Sequence, residues 1–237
     1  MATQNSGKTP NLTADEKHDI SKNQPPRAAV LHEIIRQQGD QELERSIAAL
    51  FWSALAAGLT MGLSLMAMGL LNSRLPSDEA FKVIASFGYC AGFLAVILSR
   101  QQLFTENTLT AVLPIMSKPT LGNFGRLFRL WAVVLVGNLM GTLLVAYVML
   151  HLPIFDTQTD KAFLEIGRKV MENDTSQMFA KGIISGWMIA TMVWMIPSME
   201  SAKMWIIIGN IIGGSFIFAL ISHAQIRSDT KKPKPEA

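Results

Sequence analysis

The 237-residue chain is 49% hydrophobic and 16% charged, with mean hydropathy +0.28, net charge +3 and pI near 9.1. A charged fraction this far below the roughly 25% of soluble domains, gathered into connectors between long uncharged stretches, argues for membrane spans and against one large soluble core. The one cysteine, Cys90, excludes an intrachain disulfide framework and a cysteine metal cluster, and the positive charge of the tails and span ends follows from membrane orientation without nucleic acid.

Residues 1–26 are polar, carry no apolar signal-peptide core and read as a disordered N-terminal tail. Residues 27–45 read as an amphipathic cytosolic lead-in, with Val30, Ile34 and Ile35 apolar and Glu33, Arg36, Glu42, Glu44 and Arg45 charged. Gly39 and Asp40 are expected to interrupt this helix, which either lies on the membrane surface or covers the end of the bundle. Residues 46–224 form a transmembrane domain of about five crossings, and residues 225–237 a basic C-terminal tail.

The first span, 46–71, has no ionisable side chain and exceeds the roughly 20 residues a bilayer core requires. The second apolar run, 83–98, is followed by Arg100, Gln101 and Gln102, then Leu103-Phe104-Thr105-Glu106-Asn107, then apolar sequence to Met116. These pieces are too long for one simple helix and too short for two spans, so the sequence predicts one broken crossing. Lipid cannot satisfy exposed backbone groups, so the break must be buried in protein or line a cavity. A basic connector, 118–129, precedes the span at 130–150, and a mixed connector, 151–177, precedes the span at 178–197. A short link leads to the last apolar run, 204–222. The positive-inside rule puts the N-terminal segment and 118–129 in the cytoplasm, and five crossings then send the basic tail outside, against that rule.

Each apolar run carries a glycine pair at i,i+4: Gly58/Gly62, Gly88/Gly92, Gly137/Gly141, Gly182/Gly186 and Gly209/Gly213. Such pairs lie on one helix face and let backbones approach, so they predict a compact bundle. Residues 131–149 and 205–222 share an aromatic start, a Gly-Asn pair (Asn138, Asn210), a further glycine and a long apolar end. If this is an internal repeat, the halves are inverted and the second lacks a broken element, with a junction within 204–208.

Several residues at the break have alternative roles. Leu103 and Phe104 either narrow a pore or pack the loop. Thr105 either donates its hydroxyl to an oxyanion or caps the following helix, and Asn107 either orients a substrate or caps the same piece. Glu106 would repel an anion when ionised and couple anion to proton movement when protonated, or it pairs with Arg100. Lys181 either attracts an anion to a vestibule or anchors its span at the interface. Asn138 and Asn210 are expected to hydrogen-bond between spans, and Trp131 to be a packing or interfacial aromatic. No histidine is mid-span, no catalytic or metal signature is present, and neither enzyme chemistry nor a cofactor is expected.

QLFTENTLTAVLP at 102–114 resembles the interrupted second helix of the formate/nitrite transporter family, in its bacterial inner-membrane branch. LVGNLMGTLL at 135–144 resembles the third helix, KGIISGWMIATMVW at 181–194 the fourth, GNIIGGSFIFALISHAQIR at 209–227 the sixth, and RAAVLHEIIRQQGDQELERS at 27–46 the lead-in. The resemblance implies an all-α, aquaporin-like inverted-repeat bundle, here with a broken second helix and an incomplete second half. It implies a homopentamer with a pore in each subunit, set in the lipid bilayer of the bacterial inner membrane, that passes small monovalent anions such as formate or nitrite, with or without a proton. Leu103 and Thr105, with Phe104 beside them, would form the cytoplasmic constriction. The family's interrupted fifth helix and its central histidine have no counterpart here, and Glu106 stands where many members have a small residue. The alternative is a transport-inactive structural or interaction protein derived from the family.

Overall fold

A computed structural model describes residues 13–15, 26–76 and 78–199. Gly209, Gly213, Asn210, the sixth-helix motif and both terminal tails lie outside the described residues, apart from 13–15 and 26.

Helix α1, Ala28–Glu44, is continuous, contrary to the expected interruption at Gly39 and Asp40. Gly39 serves packing: a Cβ there would lie 2.0 Å from the Thr110 carbonyl oxygen and 2.8 Å from Pro114 Cγ. The buried stripe Leu31, Ile35, Gly39 and Leu43 recurs every four residues. Through it α1 packs on the helices that follow the break and on the starts and ends of the later spans, so it covers the end of the bundle. Its outer face pairs Arg36 with Glu33 and Asp40, and the hydrogen bonds from Arg36, then Gln37, pull the Glu33 carboxyl down to about 2.

Helix α2, Ile47–Arg74, starts where Ser46 Oγ accepts the Ala49 N–H at 3.3 Å, and its 28 residues span about 42 Å. The chain returns through α3 (Glu79–Ser86), a 3-10 turn (Phe87–Tyr89) and α4 (Cys90–Leu98), which pack along α2. Gly88 sits on the Met68 backbone and Gly92 on Ser64, whose Oγ donates to the Tyr89 carbonyl and accepts the Gly92 N–H at 3.1 Å. After the break come α5 (Phe104–Thr110) and α6 (Val112–Ser117).

Helix α7, Leu121–His151, absorbs most of the basic connector expected at 118–129. Thr120 caps it by accepting the Asn123 N–H at 3.3 Å. Arg129 is drawn into the bundle: its Nη2 donates to the carbonyls of Leu43 at 2.7 Å and Arg45 at 3.1 Å, a cation on the C-terminus of α1. Helices α2 and α7 run parallel, in one register. Ala54 faces Gly137, Gly58 faces Gly141 and Gly62 faces Val145, each pair 83 residues apart. At Gly58/Gly141 backbone meets backbone, while Gly137 receives the Ala54 methyl and Gly62 the Val145 side chain. Leu43, Leu50, Ala54, Ala111, Ile115, Leu127, Leu130 and Val134 form the core beside this seam.

Within the mixed connector lies an amphipathic helix, α8, Thr157–Met171. Asp156 starts it by accepting the N–H groups of Gln158 at 3.1 Å and Thr159 at 2.9 Å, and it pairs with Arg74. Thr159 meets Ser73 at 3.0 Å, and Phe163 lies over Gly69, which docks α8 on the far end of α2. The Thr159 N–H, then its hydroxyl, then Arg74 and the Gln158 N–H hold the Asp156 carboxyl below the usual aspartate range. A carboxyl depressed on folding stabilises above its unfolded value, about 3.9, and that contribution is lost as pH falls through the lower folded value. Amide exchange in α8, corrected for intrinsic rate, is therefore expected to accelerate through that acid window in the wild type. In Asp156→Ala it is expected to be faster at neutral pH and to lack that transition. A wild type with no acid transition would rule this out.

Helix α9, Thr175–Met195, opens on a capping box between Asp174 and Gln177 and ends in a 3-10 turn, Ile196–Met199. Four helical segments among the described residues are long and apolar enough to cross a membrane: Ile47–Arg74, Ala80–Leu98, Leu121–His151 and Thr175–Ser198. The last is only 6% buried, because α9 meets the chain mainly through α5, with a lighter contact to α1. No described atom lies within 4 Å of a Cβ placed on Gly182 or Gly186, the pair for which the sequence predicts close packing.

Candidate functional site: the fastened helix break

Helix α4 stops in a Schellman turn. Arg100 takes the left-handed conformation, φ 53°, with its N–H on the Ile97 carbonyl at 3.2 Å and the Gln101 N–H on the Val96 carbonyl at 3.1 Å. That position normally prefers glycine, so the turn holds a strained arginine whose side chain reaches solvent.

The extended residues that follow find partners on two neighbouring spans. The Gln102 N–H donates to Ser53 Oγ at 3.1 Å, and the Gln102 carbonyl accepts Asn138 Nδ2 at 2.9 Å. The Phe104 N–H donates to Asn138 Oδ1 at 2.9 Å, while Asn138 Nδ2 also reaches the Ala54 carbonyl at 2.8 Å. One amide thus spans both sides of Leu103. Gln102 Nε2 donates to Glu42 Oε2 of α1 at 2.9 Å. Asn107 Nδ2 donates to Gln102 Oε1 at 2.9 Å and to the Leu103 carbonyl at 3.2 Å, and Trp131 Nε1 donates to the Asn107 carbonyl at 3.2 Å. Gln102, Leu103 and Asn107 are buried in protein, and the Gln102 N–H and carbonyl, the Leu103 carbonyl and the Phe104 N–H all find partners there, as a bilayer demands.

Leu103, 8% exposed, packs with Ala57, Val96, Met61 and Phe93. Phe104 stands edge-on to Trp131 at 6.2 Å. Thr105 does not cap α5: Leu103 holds that position without a capping side chain, because its backbone is extended and Thr105 already lies inside the helix. The Thr105 hydroxyl has no hydrogen-bond partner among the described residues. Asn107 is buried with both Nδ2 hydrogens spent on the break, so its amide does not cap α5 and has no hydrogen left to donate. Glu106, half-buried in the first turn of α5, has no hydrogen bond or ion pair from its carboxylate among the described residues. The alternative pairing with Arg100 is not made, since the Schellman turn directs that side chain outward. Lys181 is exposed and bonded to Asn173 Oδ1 near the start of α9. Thirteen residues of helix, about 20 Å, separate it from Trp194, which meets His32 of α1, so it is not gathered with the break.

Asn138 makes the inter-span bonds the sequence analysis expects. Ser53, Glu42 and the Gln102 side chain were not singled out: a serine in an apolar span and a glutamate on an amphipathic helix carry no signal of a partner 49 or 60 residues away. Among the described residues, no three His, Cys, Asp or Glu side chains come together to hold a metal.

A polytopic helical bundle built around an interrupted crossing whose loop is buried between parallel spans is a transporter or channel scaffold. The chain belongs to the formate/nitrite transporter family, whose profile matches residues 29–208. It is similar to inner membrane protein YfdC of Escherichia coli (strain K12), 46% identical over 259 positions that cover 90% of this chain and 84% of the relative. Ninety per cent of 237 residues is about 213, so about 46 of the 259 aligned positions have no residue from this chain. The family is one of transporters and not of enzymes, and this member is a multi-pass inner-membrane protein.

Proposed function

We propose that the chain is a channel or transporter subunit for small monovalent anions such as formate or nitrite. The observation that carries this reading is the fastened break. Gln102, Asn107 and Asn138 hold it in place, yet the Thr105 hydroxyl beside it has no partner among the described residues. A hydroxyl so held can replace part of the hydration of an anion leaving water, while Leu103 and Phe104 keep the surroundings apolar. Lys181, exposed at the other end of the span, would raise the local concentration of anions there. A homopentamer is part of the same reading, supported by how little of α9 the other described residues cover.

Purified full-length protein in sealed liposomes should admit formate or nitrite faster than empty liposomes, and Thr105→Ala should reduce that flux about tenfold, the weight of one well-placed charge-assisted hydrogen bond. Flux no greater than in empty liposomes would overturn the proposal. That result would favour a transport-inactive structural or interaction protein. A specific observation supports this second reading: about 46 relative positions are unmatched, enough for a crossing and its connector, and the family match ends at residue 208, at the junction inferred from the internal repeat.

A further inference from the structure

The glycine seam fixes how far α7 reaches past its neighbour. Carried on at the same 83-residue offset, Leu130 lies level with Ile47, so Leu121–Arg129 continues beyond the start of α2 by nine residues, about 13 Å. The 31 residues of α7 make about 46 Å of helix against roughly 30 Å of bilayer hydrocarbon, and its uncharged run starts only at Leu130. This foot of the helix therefore stands at headgroup level. One side of it is packed, with Leu127 and Leu130 in the core. The other carries Leu121, Phe124 and Phe128 at i, i+3 and i+7, and against the described residues Leu121 is 92% and Phe128 61% exposed. The same face continues toward the hydrocarbon as exposed Leu135. Gly125 and Gly122 follow round the helix, with no described atom within 4 Å of a Cβ placed on either, and then comes Arg126.

The Lys118 and Arg126 side chains are exposed and make no hydrogen bond or ion pair with another described residue. No acid occurs from Ser117 to Phe155. On α1, which packs beside α7, Glu33 and Asp40 are spent on Arg36, and Glu42 on Gln102 and Arg45. Glu44 has no such partner among the described residues, but Arg129 sits on the carbonyls of Leu43 and Arg45, either side of it. The foot is thus apolar on one flank and cationic on the other, with positive charge in excess. We propose that it is a binding site for an anionic phospholipid in the leaflet on the α1 side: Lys118 and Arg126 hold the phosphodiester, and the acyl chains lie along Phe128 and Leu135. Long-stemmed cations beside an apolar helix face at the membrane boundary suit that ligand. A zwitterionic phospholipid also brings an ammonium group, which the two cations repel. A second copy of the chain would have to bring an acid to them, and Glu33 and Asp40 on the outer face of α1 are already paired with Arg36.

The test uses full-length protein in a neutral detergent, with phosphatidylglycerol and phosphatidylethanolamine bearing the same fluorescent acyl chain, and anisotropy reports binding. Wild type should bind the anionic lipid at least about tenfold more tightly, and high salt should erase the difference. Lys118→Gln combined with Arg126→Gln should weaken phosphatidylglycerol binding about thirtyfold, about 1 kcal/mol for each cation, and leave phosphatidylethanolamine binding unchanged. Arg126→Lys, which keeps the charge, should retain the preference and so separates loss of charge from damage to the fold. Lys161→Gln, at an exposed lysine of α8 by the far end of α2, should change neither lipid. Equal binding of the two lipids by wild type, or a preference that survives the double glutamine variant, would overturn the site. A cysteine placed by Leu121→Cys in a Cys90→Ser background should be shielded from a water-soluble maleimide only when phosphatidylglycerol is added. Equal shielding without lipid would show that another protein surface covers the foot, and the lipid site would be wrong.

Discussion

Asn138→Leu is expected to unfasten the helix break and to lower the thermal stability of the protein more than any other single side-chain replacement outside the glycine seam. Leucine keeps the branching and heavy-atom count of asparagine, so the main loss is one of polar partners. The Phe104 N–H and the Gln102 carbonyl lose their acceptor and donor, and both lie where lipid and packed side chains offer no water. Each buried backbone group left without a partner costs about 1–3 kcal/mol, so the replacement should cost roughly 2–6 kcal/mol. The Ala54 carbonyl loses a bond too, but it remains within the helical ladder of α2. The single, half-buried Cys90 is a native reporter: its reaction with a fluorescent maleimide on heating marks the opening of the bundle. Ser53→Ala removes only the acceptor of the Gln102 N–H and should shift that midpoint less. The double variant should fall short of the sum, because both residues hold the same residue, Gln102. A midpoint within about 2 °C of wild type for Asn138→Leu would show that the amide is not the fastener.

Alanine at Gly141 should separate α2 from α7. Its Cβ would sit 2.4 Å from the Leu55 carbonyl oxygen, 2.8 Å from Gly58 Cα and 2.8 Å from the Leu59 nitrogen, all backbone atoms that cannot rotate away. Overpacking of this kind costs about 1–3 kcal/mol or more, and here the entire helix must move. Gly62→Ala offers a graded comparison. The three atoms nearest its Cβ would all belong to the Val145 side chain, Cγ1 at 2.5 Å, so Gly62→Ala combined with Val145→Ala should recover most of the loss. Gly182→Ala should do the opposite of Gly141→Ala within this chain. It meets no described atom within 4 Å and replaces a helix-interior glycine, a gain of about 1 kcal/mol. The same maleimide midpoints decide the matter, and equal behaviour of Gly141→Ala and Gly182→Ala would refute the seam.

The contrast between those glycines marks how far the sequence is legible. Glycines at i,i+4 in Gly58/Gly62 and Gly137/Gly141 do announce close helix contact, because spacing alone puts them on one face. Spacing cannot say which helix arrives at that face, and for Gly182/Gly186 no described one does. Gly39 shows the reverse error. Read locally it weakens a helix; in the fold it lets α1 rest on Thr110 and Pro114. The polar break was plain from composition, since Arg-Gln-Gln cannot continue an apolar span into lipid. The role of Asn107 was not plain, because both of its amide bonds depend on a loop shape that Arg100 creates by entering the left-handed region. The helix α8 was legible in principle: Asp156 followed by Gln158 and Thr159 is a helix start, and Thr159, Phe163 and Ile166 lie on one face.

The partners that hold the break have a consequence for how the protein is made. Glu42, Ser53, Gln102, Asn107, Trp131 and Asn138 all precede residue 139, so every bond of the clasp is available once α7 has left the ribosome. Membrane proteins are synthesised from the N-terminus, and units that find their contacts early can settle before later segments arrive. Here the order of synthesis matches the order of assembly: the α2–α7 seam closes, Asn138 reaches across Leu103, and the interrupted crossing is set while α9 is still to come. The first half thereby carries its own instructions for the break, independent of how much of the second half an evolving gene retains.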